Sequence, residues 1–208
     1  MNQERIQSAL DDITQERDPT VKSLKLASLC STMFRERDYR LVVVGGSAIE
    51  FYTEGAYMSG DVDFCLLPPN TSLSLRLRQE IMGQLGATGG PRSWQVAGMF
   101  VDILGEVEKS GRTSLRTLNA PYGEVVLIDA EELLVERILI STYPSPNAEA
   151  AACARQFIAL SLEGKIGMDW AEVRRLADTP EFDNLASCQL LVKEVADELN
   201  LQSPLDPH

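Results

Sequence analysis

The stretch LVVVGGSAIEFYTEGAYMSGDVDF, residues 41–64, confines this chain more than any other part of it. A β-branched run from Leu41 to Val44 stops at Gly45-Gly46-Ser47, and after a gap of thirteen residues comes Asp61-Val62-Asp63-Phe64. A short continuous apolar run reads as a buried strand, and a glycine pair at its end lets the chain turn sharply. Residues 40–44 are therefore expected to form a strand, with the glycines in the turn and a helix from about Ser47 to Thr53. Residues 61–67, DVDFCLL, alternate and then become apolar before Pro68-Pro69 ends them, which is the pattern of a second strand.

On that second strand Asp61 and Asp63 point to one face, and Val62 and Phe64 to the other. Carboxylates side by side repel each other, and a divalent cation such as Mg²⁺ or Mn²⁺ relieves the repulsion while keeping water and substrate phosphates in its shell. Asp102, in MFVDILG, is a third acid inside an otherwise apolar strand, where a carboxylate is costly unless partnered. With Asp61 and Asp63 it would complete a two-metal arrangement. Upstream, Gly45, Gly46 and Ser47 lie between strand and helix, where backbone N–H groups and the helix dipole receive phosphate oxygens. Glycine removes the Cβ that would block that approach, and Ser47 serves as N-cap or offers its hydroxyl to a terminal phosphate.

The rest of the chain supplies a frame. Apolar residues recur at helical spacing from Gln3 to Arg17 and from Val21 to Arg37, divided at Asp18-Pro19. A helix is expected from Leu73 to Leu85, a hairpin from Ser93 to Leu104 around Gly98, and a strand from Val125 to Ile128. Beyond Asp129 the pattern is wholly helical, over roughly 130–142, 148–162, 169–177 and 184–199, with Asp169 as an N-cap and SPLDPH as a frayed tail. The organisation is thus 1–38 N-terminal helices, 39–128 a mixed core and 129–208 a helical region. The fold class is α/β (α+β), a small mixed sheet flanked by helices.

Composition narrows the functions open to such a frame. Of 208 residues, 44% are hydrophobic and 24% charged, with no apolar run long enough to span a membrane and no signal-like start, so a cytoplasmic globular protein is expected. Cys30, Cys65, Cys153 and Cys188 are scattered and remote from the one histidine, His208, which argues against zinc and for buried thiols. A formal net charge of -12 opposes a broad phosphate-tracking surface, although Arg76, Arg78, Lys109, Arg112 and Arg116 group in the middle of the chain. Trp94 and Trp170 read as core or pocket-wall aromatics.

Taken together, Gly46-Ser47, the thirteen-residue gap and Asp61-Val62-Asp63-Phe64 resemble the signature of the DNA polymerase beta type of nucleotidyltransferase. More narrowly, GGSAIEF followed by SGDVDF is similar to minimal nucleotidyltransferases grouped with abortive-infection and toxin-antitoxin toxins. The resemblance is specific over residues 41–67, extends to about 128 and is only architectural beyond. It implies that Asp61 and Asp63 hold Mg²⁺, that Asp102 helps activate an acceptor hydroxyl, and that Gly45, Gly46 and Ser47 hold the triphosphate of an NTP. The acceptor would be RNA, a protein or a small molecule, and an antitoxin is an implied partner.

Two departures bear on that expectation. Where toxin-like members have Arg-x-Thr before the acids, this chain has Tyr57-Met58-Ser59-Gly60; and in place of a helical lysine it offers Arg137, which becomes the candidate triphosphate contact. A nucleotide-binding regulatory relative without turnover, and a sugar-nucleotide glycosyltransferase using the Asp-x-Asp metal site, are the competing readings. An interaction protein with solvated acids is the third, made awkward by Asp102 between Val101 and Ile103.

Overall fold

Strand alternation decides how the first part of the chain is arranged. The computed structural model describes residues 1–107 and 115–206. Among them the chain divides into two units, the first running as far as Ile128 and the second beginning at Asp129. In the first unit, β1 (Arg40–Val44), β2 (Asp61–Leu67), β3 (Thr88–Gly89), β4 (Ser93–Val96), β5 (Met99–Glu106), β6 (Arg116–Ala120) and β7 (Gly123–Leu127) form one mixed sheet. Its order is β3-β4-β5-β2-β1-β7-β6. The β2·β5 and β1·β7 pairs are parallel and the others antiparallel.

Val62, Phe64, Val101, Ile103, Trp94 and Val96 are buried on one face of this sheet, whereas Asp61, Asp63, Phe100, Asp102, Ser93 and Gln95 alternate onto the other and stay half-buried or exposed. Helix α1 (Gln3–Gln15) starts at Asn2, whose side chain accepts from Arg5 N–H. Helix α2 (Pro19–Arg35) is capped by Asp18, with Pro19 in the first turn where its missing N–H costs nothing. The α2 helix packs on β1 and β7 and buries Leu26, Leu29, Met33 and Phe34. Helix α3 (Gly45–Tyr52) joins β1 to the loop before β2, and α4 (Leu75–Gln84), capped by Ser74, follows β2.

The second unit contains α5 (Ala130–Thr142), α6 (Ala148–Leu162), α7 (Trp170–Ala177) and α8 (Leu185–Glu198). Helix α5 contacts the other three and buries Leu133, Leu134, Val135 and Ile138. Asp169 caps α7 as expected, accepting from the Ala171 and Glu172 N–H groups.

Four expectations are corrected. Helix α3 begins at Gly45, not Ser47, so the glycines form its first turn; its N-cap is Val44, without a side-chain cap. Strand β6 was not expected, because RTLNA has no apolar run. The short β3 falls in the glycine-rich stretch GATGGP, residues 86–91, where no strand was expected. The described part of the C-terminal segment, residues 203–206, is docked: Leu205 is fully buried, and its carbonyl accepts from Arg174 at 2.8 Å and from Gln189 at 3.2 Å. Cys30, Cys153 and Cys188 are buried and Cys65 half-buried, and none of the four forms a disulfide among the described residues. Burial alone pushes the Cys30 and Cys188 thiols up to about 12. Trp94 is 5% exposed, a core residue. No helix among the described residues is long and apolar enough to cross a membrane.

Candidate active site

Register brings the three acids together. Asp63 and Asp102 are Cα partners across the parallel β2·β5 pair, and Asp61 is partnered with Phe100. Partners on neighbouring strands share a face about 4.8 Å apart. Asp61, Asp63 and Asp102 therefore occupy one patch of the open face, each half-buried.

The turn after β1 reaches the same patch. Gly45 has φ +61°, a left-handed conformation that glycine adopts without penalty. A Cβ there would lie 3.1 Å from Asp63 Oδ2, and one at Gly46 would lie 3.0 Å from Ser59 Oγ and 3.5 Å from Tyr57 Oη. The two glycines thus make room for a carboxylate and for the loop that precedes the acids. Ser47 is fully buried; its hydroxyl donates to Val44 O at 3.0 Å and accepts from Asp63 N–H at 3.1 Å. Its side chain ties the α3 turn to β2 and does not cap the helix. The N–H groups of the first turn have no partners within the helix, which leaves them suited to an anion.

Two residues that sequence reasoning left without a role meet here, Ser59 in the loop before β2 and Glu50 on α3. Ser59 Oγ donates to Asp61 Oδ1 at 2.9 Å, and Ser59 N–H donates to Glu50 Oε2 at 2.8 Å. Glu50, on α3, is 1% exposed. Burial raises its pKa above the ordinary glutamate value, against the opposing effect of hydrogen bonds from Ser59 N–H and the Thr20 side chain; the Asp18 charge adds to the rise. A signal for Glu50 was present in the sequence: Ala48, Ile49, Phe51 and Tyr52 leave α3 no polar face to carry it.

Among the described residues no three histidine, cysteine or acidic side chains converge into a ready metal cage. Mg²⁺ does not require one, since it is held through one or two carboxylates with substrate phosphates and water completing the shell. An all-oxygen donor set on one strand face, beside an anion-receiving helix turn, fits that chemistry.

Of the basic group, Arg76, Arg78 and Arg116 are among the described residues, each in a different setting. Arg78 donates to Pro91 O at 3.0 Å and Ile103 O at 3.1 Å, and its desolvation lowers its pKa. Arg116 stacks over the Tyr52 ring, 5.2 Å from its centroid. Arg76 is exposed on α4. Lys109, Arg112 and the histidine His208 lie outside the described residues. Arg137 lies in the second unit, half-buried on α5, next to Glu136, whose pKa burial raises and the Arg137 charge lowers. The site described here is built from the first unit alone.

No family model matches the sequence, and no curated protein does. Solved structures do match in shape. An antigenic nucleotidyltransferase-like protein from Paracoccidioides brasiliensis aligns with a TM-score of 0.53 at 15% identity, over 86% of this chain and 93% of that one. The antibiotic-resistance factor ANT(2'')-Ia aligns at 0.47 and 13% identity, over 85% and 94%. A second structure of ANT(2'')-Ia, in complex with adenylyl-2''-tobramycin, aligns at 0.44 and 12% identity, over 74% and 97%. The last two are likenesses of outline only. With the mixed sheet, its parallel β2·β5 pair and the first alignment in hand, the fold of this chain is similar to that of the nucleotidyltransferase-like protein.

Proposed function

We propose that this protein is a metal-dependent nucleotidyltransferase that moves a nucleoside monophosphate from an NTP to an acceptor hydroxyl. The observation that carries the reading is the Asp63–Asp102 register pair, with Asp61 two residues along the same face and the α3 turn against Asp63. Backbone N–H groups of Gly45, Gly46 and Ser47 receive the triphosphate, and Asp61 and Asp63 hold the metal. Bound there, Mg²⁺ or Mn²⁺ supplies charge neutralisation at the phosphates. Asp102 takes the proton from the acceptor hydroxyl. The new bond forms between that oxygen and the α-phosphorus as the bond to the bridging oxygen breaks, and pyrophosphate leaves with the electron pair.

In-line displacement sets entering and leaving oxygens on opposite sides of phosphorus. With the phosphates at α3, beside β1, the acceptor approaches over β5 and β4. There Phe100, 56% exposed, lies in register with Asp61 on one side and Gln95 on the other, giving an aromatic face with an amide beside it. The replacement of the usual basic contact by Tyr57 favours the second reading, a nucleotide-binding regulator without turnover.

The test is incubation of purified protein with each α-labelled NTP, Mg²⁺ and cell extract, beside Asp61→Asn and Asp63→Asn. Label transferred to a macromolecule or small product by the wild type alone supports the reading and identifies the acceptor class. Mg²⁺-dependent NTP binding without transfer supports the regulator, and absence of binding overturns the phosphate site. A toxin-like role further requires that expression arrest growth and that Asp61→Asn relieve it.

A further inference from the structure

We infer that Glu50 is a positioning residue that sets the Asp61 carboxylate through Ser59. The inference rests on the reading of Asp61 as a metal ligand and extends it to a residue that touches neither metal nor substrate.

Three observations carry it. Glu50 is almost fully buried in a helix whose other late residues, Ile49, Phe51 and Tyr52, are apolar and buried. A carboxylate in such a place is costly, and a leucine would fill similar volume without the cost. What the carboxylate supplies and a leucine cannot is an acceptor fixed on α3. It receives Ser59 N–H at 2.8 Å, and a Thr20 side-chain bond from α2 steadies it.

Ser59 in turn donates its hydroxyl to Asp61 Oδ1 at 2.9 Å, so one oxygen of the candidate ligand is held in place. The serine needs the bare backbone of Gly46 beside it, since a Cβ built on Gly46 would stand 3.0 Å from Ser59 Oγ. Gly46 leaves the space for its hydroxyl, and Glu50 fixes its backbone through the Ser59 N–H. Outer partners of this kind orient a ligand before the metal arrives, so less freedom is lost on binding.

The metal alone serves as the probe: Mn²⁺ binding to the full chain, followed by electron paramagnetic resonance, for wild type, Asp61→Asn, Glu50→Leu, Glu50→Gln and Ser59→Ala. Thermal unfolding of each variant is recorded in parallel. Loss of the outer partner is expected to weaken Mn²⁺ binding by about tenfold in Glu50→Leu and Ser59→Ala. Glu50→Gln, whose amide oxygen still accepts from Ser59 N–H, is expected to bind severalfold better than Glu50→Leu, a rescue that core packing alone does not predict. Ser59→Ala keeps the test decisive should Glu50→Leu fail to fold. Wild-type affinity in folded Glu50→Leu or in Ser59→Ala, with binding lost in Asp61→Asn, overturns the relay and leaves the metal site standing. Wild-type affinity in Asp61→Asn overturns both.

Discussion

Replacing Gly45 by alanine tests the tie between the helix turn and the carboxylates with a single added carbon. At φ +61° a Cβ crowds the neighbouring carbonyl, at a cost of roughly 1–2 kcal/mol. The same Cβ would stand 3.1 Å from Asp63 Oδ2, so the carboxylate must give by a few tenths of an ångström. That shift adds at most about 1.5 kcal/mol, the cost of a side chain held well off its rotamer, for a total of about 1–3.5 kcal/mol in the first unit. Gly60→Ala is the matched control. It has no atom within 4 Å of its Cβ position and no positive φ, and should stay within about 0.5 kcal/mol of wild type. Urea unfolding read by Trp94 fluorescence, in a Trp170→Phe background, isolates the first unit; the midpoint should fall at unchanged slope. Mn²⁺ binding should weaken in Gly45→Ala, because Asp63 no longer rests where β2 places it. Equal stability of the two alanine variants, with Mn²⁺ binding intact in both, would refute the argument.

Two further outcomes follow from the packing. Deleting the chain from Ser203 onward removes fully buried Leu205 and the carbonyl that Arg174 and Gln189 share, and should cost about 2–4 kcal/mol, read as a lowered thermal transition of the second unit; an unchanged transition would mean that the segment does not pack. For Glu50, burial raises the folded-state pKa above the ordinary 4.5, so the folded chain binds this proton more tightly than the unfolded chain. Its contribution to stability therefore falls as pH rises from about 4.5 through the raised value and is constant above it. Glu50→Gln should remove that fall, seen as a wild-type-minus-variant difference in urea midpoint that declines across this window; a difference independent of pH would contradict the sign.

The helices were legible because their signals are local. Asn2, Asp18, Ser74, Asn147 and Asp169 each accept from an N–H of the first turn, and apolar periodicity does the rest. Strand β6 has no such signal. RTLNA is an edge strand, mostly exposed, and its identity comes from pairing with β7 across Pro121-Tyr122. Gly123 is required there because a Cβ would run into the Thr32 side chain on α2, a contact between residues far apart in sequence. The docking of Leu205 is hidden for a similar reason: an isolated leucine between two prolines has no period, and only the surfaces of α7 and α8 give it a place.

The site was legible as an inventory, and its connections were not. Alternation on β2 puts Asp61 and Asp63 on one face, but that β5 lies parallel to β2, with Asp102 level with Asp63, is a matter of strand order. Bare backbone at Gly45-Gly46 reads from sequence as room for phosphate. The structure gives the missing methyl groups a second use: one space faces Asp63 Oδ2 and the other Ser59 Oγ. The spacing between glycines and acids then acquires a physical meaning. The intervening chain must complete α3, turn through the bend at Glu54 and Gly55, and return far enough for Ser59 to touch the first turn of the same helix. A loop that fails to return loses Ser59 from Glu50 and Gly46 together, and with it the hold on Asp61. Turn, loop and acids therefore constrain one another, which is why their combination constrains the chain more than any of the three does alone.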